Sequence, residues 1–296
     1  MNQIVQIVGS IILATVPVMM WGGIFFRKSP ENRKLAFLTF LIGALAVFPI
    51  LVYKFLWNFF PWMNAFTFAE GYNTDLIGFS SALVLPLSVV ITFMIVGLIE
   101  EVMKMLSVKL VDDNKIMDID AAIEFFILAA LGFSFTENIL YFYNIWLAQG
   151  ASNLLFPFLF RSSFSTFAHL LFSGVLGYYY GIAYFAKPIL QEEIRKNRHH
   201  WTVWLHKVFN LRKEKLFHQE KILEGLVISI GLHAMFNIFL EMGLTFMIVP
   251  FLVGGYFTLN YLFSKKENHK SYGNLLENQR NYGILEPGML ENTAKK

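Results

Sequence analysis

The sequence predicts an all-α, polytopic membrane protein, and three observations support that class. Apolar residues make up 56% of the 296-residue chain and aromatic residues 17%, with a mean hydropathy of +0.52. Charged residues make up only 15%, against about 25% in soluble domains. Seven apolar stretches are each roughly 20 residues or longer, which is the length that an α-helix needs to cross a bilayer. We therefore expect a multi-pass protein of the cell membrane.

The predicted transmembrane helices account for most of the first 263 residues. The first helix has no basic residue before it and is too long for the core of a signal peptide, so we expect it to be retained. Pro49 and Pro86 are expected to kink the second and third helices. The predicted helices cover residues 3–26, 35–57, 78–108, 120–147, 157–186, 222–241 and 244–263.

The distribution of Lys and Arg predicts the orientation of the helices. Four connecting or terminal segments carry all of the basic residues outside the predicted helices: four in 27–34, two in 109–118, nine in 187–221 and six in 264–296. The connections between them carry none, namely 58–77, 148–156 and 242–243. Basic segments stay in the cytoplasm. Seven helices therefore place the N-terminus outside and the C-terminus in the cytoplasm.

The domain organisation is expected to be simple. Residues 1–263 form one transmembrane domain, and residues 264–296 form a polar, mobile cytoplasmic tail. The cytoplasmic connection 187–221 carries Trp201 and Trp204 at helical spacing, followed by basic residues. This pattern predicts an amphipathic helix on the inner leaflet, with binding of a partner protein as the rival interpretation. The sequence contains no internal repeat and no nucleic-acid-binding module, and the absence of cysteine excludes disulfides and thiolate chemistry.

Three charged residues interrupt the third predicted helix, namely Glu100, Glu101 and Lys104. Each costs roughly 2.5–3.5 kcal/mol at a bilayer centre on insertion scales. They are therefore expected to face other helices or a wet cavity. A structural ion pair between Glu100 and Lys104, at i,i+4, is the simplest alternative, but it leaves Glu101 unexplained.

Polar residues also interrupt the next three predicted helices. The fourth carries Glu137 and Asn138, the fifth carries His169, and the sixth carries His233 and Asn237. A single histidine inside a membrane is more often a packing residue. Ionisable residues on four helices instead indicate a functional site, because each one carries an insertion cost. Close approach of the helices is also expected, since Gly177 and Gly181 form a Gly-x-x-x-Gly pattern in the fifth.

This set of side chains fits hydrolysis by an activated water molecule. Glu137, His169 and His233 are candidate ligands of a zinc-like divalent ion with an open fourth position. Such an ion lowers the pKa of its bound water, and Glu100 or Glu101 would accept the proton.

A metal-free arrangement fits the same residues, and the sequence leaves both open. In it, Glu101 and a histidine activate the water directly. With a metal, Lys104 would orient one carboxylate, and Asn138 or Asn237 would donate a hydrogen bond to the developing oxyanion. Without a metal, Asn237 would be the donor.

The order of these motifs resembles the PrsW-type intramembrane proteases, which are distantly similar to CAAX prenyl endopeptidases and to bacteriocin-processing membrane proteases. The resemblance covers about residues 75–245 and has four parts, each on its own predicted helix. They are Glu100-Glu101-x-x-Lys104, Phe133-x-x-x-Glu137-Asn138, His169 and His233-x-x-x-Asn237.

The resemblance implies an intramembrane endopeptidase that cuts a membrane-anchored protein or peptide in the lipid bilayer. It carries over most directly to Glu100, Glu101 and His233. The chain departs from the CAAX-type pattern at Glu137, where that pattern has His, and near Lys104, where it has Arg, so a prenylated substrate is not implied.

A proton-coupled transporter is the alternative from another functional class, because intramembrane Glu, His and Lys residues also build proton relays. The inverted repeats and broken helix pairs typical of transporters are not evident in the sequence. A third interpretation is a catalytically inactive immunity or scaffold protein, and the complete set of polar motifs argues against it.

Overall fold

The computed structural model describes residues 3–25, 33–80, 83–112, 115–186, 189 and 213–265. These residues are almost entirely helical, with one small β-hairpin, so the all-α membrane class is confirmed. Six helical segments in the described part are long and apolar enough to cross a membrane by length and composition. They are Gln3–Gly23, Arg33–Leu56, Ile119–Gln149, Ala151–Tyr184, Lys213–Glu241 and Thr245–Phe263.

The helices that position the charged residues are named as follows. Helix α1 is Gln3–Phe25, α2 is Arg33–Leu45, α3 is Val47–Leu56 and α4 is the short Phe66–Glu70. Strands β1 (Leu76–Ser80) and β2 (Leu83–Pro86) precede α5, Leu87–Asp112. They are followed by α6 (Ile119–Gln149), α7 (Leu155–Phe160), a π-helical turn (Arg161–Ser165), α8 (Thr166–Tyr184), α9 (Lys213–Glu241) and α10 (Thr245–Phe263).

The third predicted helix begins later than the sequence indicated. Residues 78–80 and 83–86 lie in the antiparallel strands β1 and β2, and the helix starts at Leu87. Pro86 ends β2 and does not kink a helix. A proline forces the residue before it, here Leu85, into an extended conformation, which explains why the helix cannot begin earlier. Helix α5 has 26 residues and is therefore about 39 Å long. Helix α5 is not among the six apolar segments, because Glu100, Glu101 and Lys104 lower its apolar content.

The second predicted helix is interrupted at Ala46, which separates α2 from α3. The interruption lies three residues before Pro49, whose ring lacks an N–H to donate to the carbonyl of Leu45 and clashes with it. The expectation that Pro49 disturbs this helix is confirmed.

Helix α6 is the centre of the bundle and packs against α1, α2 and α8. Its first turn is capped by Asp118, whose side chain accepts a hydrogen bond from the Ala121 N–H at 2.7 Å. Ile123, Phe126 and Ile127 on α6 are completely buried. A helix that is apolar all round belongs in the interior, and α6 fits that rule. On its other side, α8 packs against α9, and α9 packs against α5.

Glycines allow two of these helix pairs to approach closely. A Cβ atom added at Gly177 of α8 would lie 2.8 Å from the Cβ of Phe126, and one at Gly181 would lie 3.2 Å from the Cα of Ile119. The predicted close packing at the Gly-x-x-x-Gly pattern is confirmed, and its partner is α6. A tighter crossing joins α2 to α6, where a Cβ at Gly132 would lie only 1.9 Å from the carbonyl oxygen of Phe40.

Part of the predicted cytoplasmic connection belongs to a helix. Helix α9 begins at Lys213, nine residues before the predicted start at 222. The amphipathic segment with Trp201 and Trp204 lies outside the described residues, as does the tail after residue 265.

Candidate active site

A buried ion pair on α5 is the first part of the site. The Nζ atom of Lys104 lies 2.7 Å from Oε1 of Glu101 and 3.9 Å from Oε2 of Glu100. Both Lys104 and Glu101 are completely inaccessible. The ammonium therefore forms its short contact with Glu101 at i,i+3, and the ion pair with Glu100 at i,i+4, which the simplest alternative proposed, is the longer of the two. It also lies 4.7 Å from the centre of the Phe133 ring on α6.

The Glu101 carboxylate is hydrogen-bonded to residues from three helices. Lys104 donates to Oε1, the Ser173 hydroxyl on α8 donates to Oε2 at 3.0 Å, and Nδ1 of His233 on α9 lies 3.1 Å from Oε1. An ionised carboxylate can only accept, so His233 carries its proton on Nδ1. The lone pair of Nε2 is then free. A histidine held by a carboxylate through one nitrogen is the usual arrangement of a metal-binding imidazole.

His169 on α8 is held in the same way by different residues. Its Nδ1 lies 3.1 Å from Nζ of Lys104, and an ammonium can only donate, so Nδ1 is the acceptor. The proton is then on Nε2, which lies 3.0 Å from Oε2 of Glu137 on α6. Each buried histidine therefore has one nitrogen facing a carboxylate of its own and the other facing the interior of the site.

Glu100 is the glutamate of the cluster that takes part in none of these hydrogen bonds. Its Oε2 atom is buried and has no hydrogen-bond partner among the described residues. It lies 3.7 Å from Nε2 of His233 and 4.0 Å from Nδ1 of His169. Glu100, His169 and His233 each offer one ligand atom, and these atoms lie within 4.8 Å of one another. We call these three residues the trio.

The trio differs from the predicted ligand set by one residue. The sequence suggested Glu137 with the two histidines, whereas Glu100 is the carboxylate whose oxygen lies within 4.8 Å of a nitrogen of each histidine. The charges around the trio fit a cation. Glu101 has Lys104 as its partner and Glu137 has Arg161, at 2.8 Å. Glu100 has no cation closer than 3.9 Å. With neutral imidazoles, the group holds three carboxylates and two cations, and the donor types suit a zinc-like ion.

The two candidate asparagines lie in different surroundings. The amide nitrogen of Asn138 donates to Oγ1 of Thr166 at 3.1 Å and to Oγ of Ser134 at 3.4 Å. Its oxygen accepts from Nε of Arg161 at 2.6 Å. Asn138 is thus engaged in structural contacts. Asn237 lies one turn beyond His233, is half-buried and makes no side-chain hydrogen bond with a described residue.

Arg161 is the residue of this cluster that the sequence analysis did not select. It lies four residues inside the predicted fifth helix. The insertion cost that identified Glu100 applies to an arginine as well, so the signal was present. Its place in the structure depends on the π-helical turn that it begins, and such turns occur frequently at functional sites.

The site lies deep within the helices. Glu100 is 13 residues beyond the start of α5, about 20 Å along the helix axis. His233 is eight residues before the end of α9, about 12 Å along that axis. The side chain of Glu137 is 31% exposed and that of Glu100 is 15% exposed, whereas the histidines are nearly closed off. The opening of the site therefore lies on the side of the two glutamates.

The fold and the site define a multi-pass membrane protein with a buried cluster of glutamates, histidines and basic residues. The family of PrsW intramembrane metalloproteases matches residues 31–261, and the chain belongs to that family. Neither the curated proteins nor the solved structures gave a match. The resemblance seen in the sequence is confirmed, membership supports intramembrane proteolysis, and a transporter is not favoured.

Proposed function

We propose that this chain is an endopeptidase that hydrolyses a peptide bond of a membrane-anchored protein or peptide, with a water molecule activated at the trio. The observation that carries the proposal is Oε2 of Glu100, which has no hydrogen-bond partner among the described residues and lies 3.7 Å from Nε2 of His233 and 4.0 Å from Nδ1 of His169. Buried polar atoms without hydrogen-bond partners are rare in native structures, and such an atom inside a cluster of ionisable groups indicates a catalytic or ion-binding role.

Glu100 is proposed as the group that accepts the proton of the attacking water. It is the one glutamate of the cluster that is not held by a cation at short range, so its oxygen is available. General-base catalysis needs the acceptor within hydrogen-bond reach of the water, and Oε2 has no competing hydrogen bond with a described residue. The proton then passes to the leaving amine, which completes hydrolysis.

In a metal-dependent form, the trio would hold a zinc-like ion with Oε2 of Glu100 as a ligand and not as the base, and the ion would supply Lewis acidity that lowers the pKa of a bound water. The hydrogen bond from His233 to Glu101 and the contact of His169 with Glu137 support this assignment, since both orient the imidazoles as metal-binding histidines are oriented. Lys104 also lies at Nδ1 of His169. This ammonium must move away before Nδ1 can bind an ion.

Asn237 is proposed as the donor to the developing oxyanion. Its amide makes no contact that would have to be broken, whereas both amide protons of Asn138 are engaged. Asn138 is accordingly assigned a supporting role next to Arg161, which differs from its role in the sequence-based hypothesis.

The decisive experiment compares membrane-protein fragments in host cells that express the wild-type protein, Glu100→Gln or Glu241→Gln. Glutamine preserves the shape of Glu100 but cannot accept the proton. We expect a set of fragments that is present with wild type and Glu241→Gln and absent with Glu100→Gln. Glu241 is an exposed glutamate at the end of α9, so its variant controls for the chemical change alone.

Two results would overturn the proposal. Identical fragments with Glu100→Gln and wild type would exclude Glu100 as the base. Metal analysis of the purified protein tests the ion separately. We expect bound zinc-like metal in wild type and loss of it in His233→Gln, and full activity after removal of all metal by a strong chelator would reject the metal-dependent form.

A further inference from the structure

We propose that Arg161 is a positioning residue for the protease: it fixes the Glu137 carboxylate, and Glu137 in turn orients His169 so that Nδ1 faces Glu100. The inference rests on the proposed function of the trio. Among the described residues, Arg161 contacts Glu137, Asn138 and Tyr141 and no member of the trio, so its effect on the reaction is indirect.

Three contacts hold the Arg161 guanidinium against one face of α6. Its Nη2 atom forms an ion pair with Oε2 of Glu137 at 2.8 Å, and its Nε donates to Oδ1 of Asn138 at 2.6 Å. The guanidinium also lies over the ring of Tyr141, 4.4 Å from its centre. A planar guanidinium with donors in a fixed fork can satisfy all three contacts in one orientation, which a lysine cannot do.

Asn138 makes that orientation specific. Because its amide nitrogen donates to Ser134 and Thr166, its oxygen must point the other way, towards Arg161. The hydroxyl of Ser134 also donates to Thr166, at 3.1 Å. The position of the guanidinium is thus determined by a connected polar network, and such networks are more rigid than single contacts.

Oε2 of Glu137 is shared between Arg161, at 2.8 Å, and Nε2 of His169, at 3.0 Å. Without the guanidinium, Glu137 would be a partly exposed carboxylate without a cation and could rotate or compete with Glu100 for a proton or an ion. Arg161 therefore explains how a glutamate can occupy position 137, where the CAAX-type pattern has histidine. It also leaves Glu100 as the glutamate free for catalysis.

The π-helical turn is the element that brings Arg161 to this position. In a regular α-helix, residues 161 and 169 would lie about 80° apart around the axis, because eight residues make two turns and a fraction. A π turn advances fewer degrees per residue, since its hydrogen bonds join i and i+5. Arg161 and His169 can then both reach Glu137. The turn is held from outside by Trp21, whose indole N–H donates to the Ser162 carbonyl oxygen at 2.9 Å.

The test uses four variants of the full chain: Arg161→Gln, Arg161→Lys, Glu137→Gln and the double variant of the two glutamine substitutions. Arg33→Gln is the matched control, because Arg33 is exposed at the start of α2. Two quantities are measured. One is the ratio of fragment to precursor for a substrate found with the Glu100→Gln comparison. The other is the hydrogen bonding of His169 Nε2, measured as its ¹⁵N shift by NMR of histidine-labelled protein, with His169→Gln for assignment.

We expect Arg161→Gln to reduce cleavage by about 10- to 100-fold, the usual effect of losing a residue that orients a catalytic histidine. The Nε2–H of His169 should then lose its fixed contact with Glu137 and its ¹⁵N shift should change, although Lys104 still holds Nδ1 as the acceptor. Arg161→Lys should fall between Arg161→Gln and wild type, since it keeps the charge without the fork. The double variant should lose no more than the worse single variant, because it leaves no unpaired charge, and it remains informative if Arg161→Gln does not fold.

Three results would contradict the role of Arg161. The first is a loss of cleavage in Arg161→Gln with an unchanged ¹⁵N shift of His169 Nε2, which would indicate direct contact with substrate. The second is wild-type cleavage in both Arg161→Gln and Arg33→Gln. The third is a double variant whose losses simply add. Failure of the trio itself would appear separately, as cleavage that survives Glu100→Gln.

Discussion

Lys104 shows how a cation can be accommodated completely inside a membrane protein. It contacts Glu101, His169 and the face of the Phe133 ring, and none of its side chain is exposed. Breaking a buried ion pair by removing one partner is far more costly than replacing both, because the remaining charge has no counterpart. Lys104 is therefore required for the stability of the protein as well as for the arrangement of the site.

We predict that Lys104→Met destabilises the protein by about 3–5 kcal/mol. The double variant Glu101→Gln with Lys104→Met should be less destabilised than Lys104→Met alone, although inactive. Unfolding in mixed micelles, followed by circular dichroism, measures both. Lys109→Met serves as the control, because Lys109 is an exposed residue near the end of the same helix. An equal loss for Lys104→Met and Lys109→Met would show that the pair has no stabilising role.

Much of the site could be predicted at this scale, because the cost of an ionisable group in lipid identifies Glu100, Glu101, Lys104, His169 and His233 from the sequence alone. The pairing could not be predicted. Glu100 and Glu101 are both near Lys104 along the helix, at i,i+4 and i,i+3. The choice between them is made by Ser173 and His233 on other helices, which no local pattern contains.

At the scale of elements, the helices α2 and α6 approach each other most closely at a glycine, judged by the distance from an added Cβ atom to its nearest neighbour. An added Cβ at Gly132 would lie 1.9 Å from the Phe40 carbonyl oxygen and 2.8 Å from the Ala44 nitrogen, both backbone atoms that cannot rotate away. Helix α6 also carries Glu137 and Asn138, so a displacement of this crossing would move the site. Small residues at such crossings are how membrane helices gain packing contacts.

We predict that Gly132→Ala lowers the melting temperature and reduces cleavage, because α2 must move off α6 to make room for the methyl group. Gly231→Ala is the matched control: Gly231 lies in α9, and nothing lies within 4 Å of its added Cβ. It should melt no lower than wild type. Thermal unfolding of both variants in the same detergent makes the comparison, and unchanged melting of Gly132→Ala would rule out the tight crossing.

The sequence predicts the boundary of a helix or strand where a proline or a charged residue marks it. It does not predict the boundary where an apolar stretch continues from one element into the next. The helix interruption near Pro49 followed from the proline, and it was found at Ala46. Residues 76–86 are as apolar as the helix that follows them, so hydropathy could not separate hairpin from helix. The pairing of β1 with β2, for example Ile77 with Leu85, is a contact between two apolar segments that composition does not specify.

At the scale of the whole molecule, α5 decides the number of crossings. Asn73 precedes α5, and Ser152 follows α6, and both are exposed. If α5 and α6 both cross the membrane, these residues lie on the same side. If α5 does not cross, they lie on opposite sides. The distribution of Lys and Arg further predicts that this shared side is the outer one.

The absence of native cysteine makes this prediction easy to test. We expect an impermeant thiol reagent to label Asn73→Cys and Ser152→Cys in intact cells, and Asn197→Cys and Ser264→Cys only after permeabilisation. Labelling of Asn73→Cys and Ser152→Cys from different sides would reduce the crossings to six. Labelling of all four in the reversed pattern would invert the orientation.

The π-helical turn at Arg161–Ser165 has a consequence for the evolution of the chain. Seven residues in a regular α-helix make almost two complete turns, about 20° short, so a cation seven positions before the histidine would share its face without any widened turn. Here the spacing is eight, and the widened turn absorbs the extra residue. The segment therefore has the form of an ancestral α-helix that accepted a one-residue insertion between its arginine and its histidine. Relatives that lack the insertion should show the same pair at a spacing of seven.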